Sequence, residues 1–352
     1  MAGGSGERFW PLSRRRQPKQ LLRIASATQT LLDQAVERIL PLVPAEHVYI
    51  STTTLLEQAM RDAGLPVPAA NVLAEPARRN TAGCLSWVAA ELRHRYPGED
   101  LSIAVLTADH LIGNAERFRG CVRVAMETAE AGDCIATLGV TPDRPETGYG
   151  YIEIPEGSTG SVVPVMRFRE KPNQSLAENF VASGRHFWNS GMFFWRLNTF
   201  ISQLEEVSPI HGSVIRGIAE ALGRRDSDGA RRLFETLPNI SIDYALLERS
   251  EAVQMVRADF GWDDLGSWDA LERSRPCDEA GNVVEGGPIL KDVKSSIVIN
   301  EAGAERMAVG VIGVENLVVI VTNDAVLVCP KDHAQEVRHV PRELDQQGRH
   351  QL

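Results

Sequence analysis

The stretch AGGSGERFWPLSRRRQPK, residues 2–19, places three glycines, Gly3, Gly4 and Gly6, ahead of two cations, Arg8 and Lys19. Glycines let backbone N–H groups come close to phosphate oxygens, and cations downstream neutralise what the backbone cradles. The spacing matches neither a Walker A loop nor a G-x-G-x-x-G fingerprint. By composition alone the same run could be a flexible terminus, so its meaning rests on the remainder of the chain. Out to about residue 270, short apolar runs at residues 47–51, 103–106 and 134–140 alternate with amphipathic segments. Residues 30–40 (TLLDQAVERIL) repeat apolar positions at helical spacing, and Asn80 or Thr81 is placed to cap a helix reaching about Tyr96. This alternation predicts an α/β domain on a largely parallel sheet.

The cluster Pro276, Gly281, Gly286, Gly287 and Pro288 marks a change of texture. It divides the chain into residues 1–275, the α/β region, and residues 276–352. Residues 289–330 hold short β-branched runs (SSIVIN, MAVGVIGV, LVVIVT, AVLVCP), which predict a small β-rich unit coiled as a short β-helix. A charged terminal helix is expected over residues 332–348. With 352 residues, 43% hydrophobic and 24% charged, the composition is that of an ordinary globular protein and excludes disordered or collagen-like chains. The net charge of -10 argues against a protein that coats nucleic acid, so any anionic ligand must be met by a local basic pocket. Cys84, Cys121, Cys134, Cys277 and Cys329 form no C-x-x-C pair, which suits a reducing cytoplasm. The most apolar run, Leu317–Val321, reads as a buried strand and not as a membrane span, and the opening residues do not read as a signal peptide.

The pattern G-G-x-G-x-R-x-x-P-L-x(5)-P-K resembles the signature of sugar-phosphate nucleotidyltransferases. Further segments agree in order: EPARRNTA (residues 75–82), LTADH (106–110), PETGYGYIE (145–153), FREKP (168–172), WNSGMFFW (188–195) and GWDDLGSWDAL (261–271). Together they resemble the mannose-1-phosphate guanylyltransferase branch, over most of the chain including the β-rich tail. The resemblance implies a Rossmann-like domain with a mixed, mainly parallel sheet. It also implies a cytoplasmic enzyme of GDP-mannose biosynthesis that joins GTP and mannose-1-phosphate, releases pyrophosphate, and uses Mg²⁺ or another divalent cation.

The chemistry is consistent with that implication. A sugar-1-phosphate has a second pKa of about 6 and is already largely a dianion at neutral pH, so its attack on an α-phosphorus needs no general base. The obstacle is repulsion between two polyanions, and the remedies are a cation and fixed Lys or Arg groups. Asp109 follows an apolar run and so falls at the carboxyl end of a strand, where open α/β sheets bind ligands. Read alone, Asp109 or Asp264 could equally be a turn or cap residue. The resemblance makes both of them metal ligands, with Asp264 chosen over Asp263 by the W-x-D-x-G-S-W register. It places Arg8 on the nucleotide's outer phosphates, Lys19 near the reacting phosphate and Lys171 on the sugar phosphate. Gly148, Glu170 and Asn189 would contact the hexose; Arg79 and Asn80 would contact the nucleotide. Arg14, Arg15 and Arg16 read as a solvated basic face, and Trp188, Phe193, Phe194 and Trp195 mainly as core. The eight histidines show no H-E-x-x-H spacing and no G-x-S-x-G elbow is present, which leaves His110 a structural neighbour of Asp109.

Some positions depart from the resemblance. The family loop is usually preceded by a buried strand, whereas here Met1 stands where that strand should end; the expectation is a start codon lying upstream. Glu7 stands where Thr is common, Arg78 where Gly is, and Gly83 and Thr107 where Pro is. A carboxylate at position 7 would repel a triphosphate unless turned toward a basic partner. The isomerase domain of bifunctional relatives is not expected within these residues. Two rivals remain from sequence: the same chemistry with glucose-1-phosphate and UTP or dTTP, and a homologue that binds without turnover. The β-rich tail offers a surface for a homodimer; neither nucleic acid nor membrane is an expected partner.

Overall fold

The computed structural model describes residues 1–4, 6–349 and 351. The chain packs as two units. One comprises Met1, Arg38–Thr107 and Ile112–Trp262; the other comprises Ala2–Glu37, Ala108–Leu111 and Asp263 onward. A single boundary near residue 275 therefore does not describe the packing, although it does mark where the β-rich sequence starts. The reason is apolar burial: Phe9, Trp10, Leu22 and Ile24 of the opening segment share one cluster with Trp268, Leu271, Ile297, Ile299, Val318 and Ile320.

In the first unit the strands are β1 (Ile50–Thr53), β2 (Val72–Glu75), β3 (Ser102–Val105), β4 (Ile135–Val140), β5 (Tyr151–Glu153), β6 (Val162–Pro164), β7 (Arg167–Arg169), β8 (His186–Arg196) and β9 (Val253–Ala258). A seven-stranded sheet runs β6-β9-β4-β8-β5-β7, with β3 also on β8; β1 and β2 form a separate parallel pair. The sheet is mixed, but it is not mainly parallel. Within this sheet only β9 with β4 pairs in parallel among the described residues, while β8 runs antiparallel to β3, β4 and β5. The WNSGMFFW run, read as aromatic core, is this inserted strand, which strand and helix alternation could not reveal. Its Trp188, Phe193, Phe194 and Trp195 are buried, as read.

All six residues of β4 are buried, as befits a strand paired on both edges. Gly139 within it is required by close packing, since a Cβ there would overlap Met255 and stand 3.1 Å from the Cβ of Phe187. Helix α1 (Asn80–Arg95) begins differently from the expected cap: Asn80 adopts φ 59° and its side chain accepts from the Thr81 N–H, while Thr81 Oγ1 accepts from Ile242 N–H. Helix α2 (Ala115–Ala131) is capped by Asn114 and buries Phe118, Val122, Ala125 and Ala129, one stripe at alternating spacings of four and three. Met1 packs against the apolar cluster of α1, and its amino group donates to Leu106 O at 2.7 Å. No helix among the described residues is long and apolar enough to cross a membrane.

The second unit contains the β-helix read from residues 289–330. Strands β10 (Val283–Glu285), β12 (Ile297–Asn300) and β14 (Leu317–Val321) stack in parallel, and β15 (Val326–Pro330) closes the ladder antiparallel. Strands β11 (Ile289–Lys291) and β13 (Gly310–Ile312) make a second parallel ladder. Val283, Ile297 and Val318 are consecutive rungs of one buried column. The expected terminal helix is two pieces: a 3₁₀ segment, Lys331–Arg338, then helix α3 (His339–Gln346).

Glu75, at the end of β2, is 6% exposed and its Oε2 has no hydrogen-bond partner. Burial pushes its carboxyl up to about 7, with the Arg78 charge pulling the other way. A folded-state pKa above the unfolded value favours the neutral form, so this group's contribution to stability is full below about 4.5 and falls away as pH rises through about 7. Glu75→Gln should flatten that part of the stability profile. Denaturant midpoints from pH 4.5 to 8 measure it, and parallel profiles for the two proteins would rule out a buried, protonated Glu75.

Candidate active site

Within the second unit, a cavity of about 350 Å³ is lined by Gly6, Arg8, Lys19, Asp109 and Asp264 among others. Candidates drawn from three distant stretches of the sequence therefore share one pocket. The loop that starts it turns at Gly6, whose φ of 64° is left-handed and whose carbonyl accepts from Phe9 N–H and Ser13 Oγ. Only glycine fits: a Cβ here would stand 2.5 Å from the Cβ of Lys19. Gly6 lines the cavity while Gly3 and Gly4 do not, and among the described residues no hydrogen bond is donated by the N–H of Gly3, Gly4 or Gly6.

Lys19 is 6% exposed. Its Nζ donates to Asp109 Oδ2 at 3.1 Å and to the Asp264 backbone carbonyl at 2.6 Å. For Asp109 burial acts to raise the carboxyl, but Lys19, aided by His110, holds it below the usual carboxylate range. His110 Nε2 lies 4.0 Å from Asp109 Oδ1, a neighbour in the same pocket, as its place in LTADH implied. Asp263 is engaged elsewhere: Oδ1 accepts from Leu265 N–H at 2.8 Å and Oδ2 from Arg273 Nε at 2.6 Å. Of the two neighbours, Asp264 lines the pocket and Asp263 does not. The donor set of Asp109 and Asp264 suits a hard divalent cation that takes one or two carboxylates and completes its shell with water and phosphate.

Arg8 has a buried Nε with no partner and makes no ion pair among the described residues. Glu7 is turned toward Arg342, with Oε2 at 3.6 Å from Nε, which supplies the basic partner that position 7 required. Arg342 and Arg338 line the same pocket. Sequence reading missed both, because a charged terminal helix carries no motif that ties it to a loop at the opposite end of the chain.

The remaining candidates lie in the first unit. Asn189 donates from Nδ2 to Asp243 Oδ1 at 3.0 Å and accepts from Gly191 N–H at 3.1 Å. Burial raises the Asp243 carboxyl above its usual range, with the Glu170 charge adding to it and the Asn189 hydrogen bond opposing it. Asp243 is thus a further polar group beside two of the expected hexose contacts, and nothing in its local sequence singled it out. Lys171 is exposed and has no ion-pair partner among the described residues. Gly148 N–H donates to Glu146 Oε1 at 2.9 Å, so its backbone donor is already engaged. Arg79 is largely structural, donating to Glu235 O at 2.7 Å and Arg78 O at 3.1 Å. Asn80, next in the chain, is held in its left-handed backbone conformation.

A model of the nucleotidyl transferase family matches residues 1–280, and one of the MannoseP isomerase/GMP-like beta-helix domain matches residues 291–344. The chain belongs to the nucleotidyl transferase family and carries that β-helix domain. A mannose-1-phosphate guanylyltransferase of Escherichia coli (strain K12) is 36% identical over 363 residues, covering 100% of this chain and 74% of that protein. An alginate biosynthesis protein, AlgA, of Pseudomonas putida is 35% identical, covering 99% of this chain and 71% of its own. A crystal structure named mannose-1-phosphate geranyltransferase, from Thermus thermophilus, is 35% identical with a TM-score of 0.86, covering 98% of both chains.

Gly6→Ala tests how tightly the loop and Lys19 are packed. The new methyl group would have to adopt a left-handed backbone, costing about 1–2 kcal/mol, and would displace Lys19. Turnover should drop at least tenfold while the far-UV circular dichroism stays native; unchanged turnover would mean that the loop relaxes without moving Lys19.

Proposed function

We propose that this nucleotidyltransferase transfers the guanylyl group of GTP to mannose-1-phosphate, giving GDP-mannose and pyrophosphate. The observation that carries the reading is the Lys19 ammonium set between the Asp109 carboxylate and the Asp264 carbonyl in a pocket that also holds the unpaired Arg8. Relatives bearing the mannose-1-phosphate guanylyltransferase name support the choice of substrates. Five free thiols suit a reducing cytoplasm.

The sugar phosphate attacks the α-phosphorus in line as a dianion, so no residue has to remove a proton from it. Arg8 and the backbone of the Gly3, Gly4 and Gly6 loop hold the outer phosphates and stabilise the charge that builds on departing pyrophosphate. Lys19 orders Asp109 and meets the reacting phosphoryl group. Asp109 and Asp264 are the residues that would hold Mg²⁺, which when bound neutralises phosphate charge and orients the nucleotide. In the roles that the resemblance implies, Lys171 binds the sugar phosphate, Glu170 and Asn189 the hexose and Asn80 the nucleotide; Gly148 and Arg79 take part only by giving up the partners they hold here.

The test is pyrophosphate release with Mg²⁺ over GTP, ATP, UTP and dTTP, each with mannose-1-phosphate and glucose-1-phosphate. The greatest kcat/KM should fall at GTP with mannose-1-phosphate; a maximum elsewhere on the grid reassigns the substrates, and silence across it from folded protein leaves a binding homologue. Asp109→Asn and Asp264→Asn should each lower turnover on the order of a hundredfold or more, and full turnover in either removes that residue from the cation site. Lys171→Ala should raise KM for mannose-1-phosphate; a rise confined to GTP would put Lys171 on the other substrate.

A further inference from the structure

We propose that Arg338 and Arg342 form a clamp on the pyrophosphate portion of the nucleotide, so that the C-terminal segment is part of the phosphate pocket. The proposal rests on the nucleotidyltransferase reading above and adds residues outside the family's motifs as recognised in this sequence. Both side chains line the cavity that holds Arg8, Lys19, Asp109 and Asp264. Arg338 ends the 3₁₀ segment and Arg342 lies in α3, so both pieces of the C-terminal segment deliver a cation to the same cavity.

The segment that carries them is fixed in place. Ala334 and Val337 are buried in the β-helix core, so Arg338 directly follows an anchored residue. Gln335 Nε2 donates to Ser267 Oγ at 2.8 Å and Lys331 pairs with Glu272, which ties the 3₁₀ segment to the stretch of chain just beyond Asp264. Arg15 pairs with Asp345 at 2.6 Å and adds a tie to the opening segment. A cation delivered by such a segment is preorganised, which is what makes fixed charges effective against phosphate.

Charge counting points the same way. The cavity lining carries Arg8, Lys19, Arg338 and Arg342 against Glu7, Asp109 and Asp264. Once a divalent cation offsets the two aspartates, four cations face the single carboxylate of Glu7. The Arg338 side chain, like that of Arg8, has no hydrogen-bond or ion-pair partner among the described residues. Two guanidiniums without counter-ions among the described residues, in one pocket, are matched by the adjacent oxygens of a pyrophosphate group, which planar forks bind bidentately. Glu7 restrains Arg342 at 3.6 Å until a more highly charged anion competes for it. Glu7, where the resemblance led one to expect Thr, is then the counter-ion of the clamp and no obstacle to the nucleotide.

The test uses the full chain. Inorganic pyrophosphate with Mg²⁺ is titrated calorimetrically into wild type, Arg338→Ala and Arg338→Lys, and steady-state kinetics are run on the same proteins. Arg338→Ala should weaken pyrophosphate binding and raise KM for GTP at least tenfold, leaving KM for mannose-1-phosphate within twofold; Arg338→Lys should recover part of the loss. Arg342→Ala should act in the same direction and less strongly. Glu7→Gln should lower KM for GTP by releasing Arg342. If Arg338→Ala keeps the wild-type KM for GTP and wild-type pyrophosphate affinity while the wild type turns over, the clamp is wrong and the parent reading stands. If the wild type neither binds pyrophosphate nor turns over any nucleotide on the grid, both fall together.

Discussion

The Lys19 ammonium is the point on which the site depends. It reaches the carboxylate of Asp109 and the backbone carbonyl of Asp264, joining segments 90 and 245 residues away in sequence. An ammonium that is nearly excluded from water requires compensation by hydrogen bonds and opposite charge, and the two acceptors take two of its three N–H donors and supply the charge. The same contact keeps Asp109 ionised, which is the state needed to attract a cation. Structure and chemistry therefore rest on one side chain.

Gly6 gives that side chain room, and its left-handed turn sends the chain from the glycine loop into Phe9 and Trp10. Those aromatic side chains are locked against the 263–275 stretch: the rings of Phe9 and Trp268 lie 5.1 Å apart, and Trp268 Nε1 donates to Trp10 O at 3.0 Å. The stretch that carries Asp264 is thus positioned by core packing, while Asp263 on one side of it is fixed by Arg273. A similar division of labour holds in the C-terminal segment, where Ala334 and Val337 anchor and Arg338 faces the pocket. Apolar residues set the position of polar ones throughout this unit, since the polar groups alone would not hold fixed geometry against water.

The strands legible from the sequence were those built on short apolar runs, as in residues 134–140, where β4 spans Ile135–Val140. Strand direction was not. A buried strand is apolar whichever way its neighbours run, so the antiparallel insertion of β8 left no trace in the pattern. The β-helix was readable because its coils repeat β-branched residues between glycines and asparagines, a local property. The way the chain divides into units was not readable, because the opening residues join the β-rich region through a shared apolar cluster that connects positions 9 and 320.

For the site, the resemblance of ordered motifs to a known family picked out Arg8, Lys19, Asp109 and Asp264, where the residues alone left Asp109 and Asp264 open as turn or cap residues. What only the tertiary structure decided was their company: the Lys19 bridge, the hold of Leu265 and Arg273 on Asp263, the pairing of Asn189 with Asp243, and the entry of Arg338 and Arg342 into the pocket. Sequence determines what a residue can do through its own chemistry and its near neighbours. Electrostatic partnership depends on distances of a few ångströms between segments hundreds of residues apart, and those distances exist only after the apolar cores have closed.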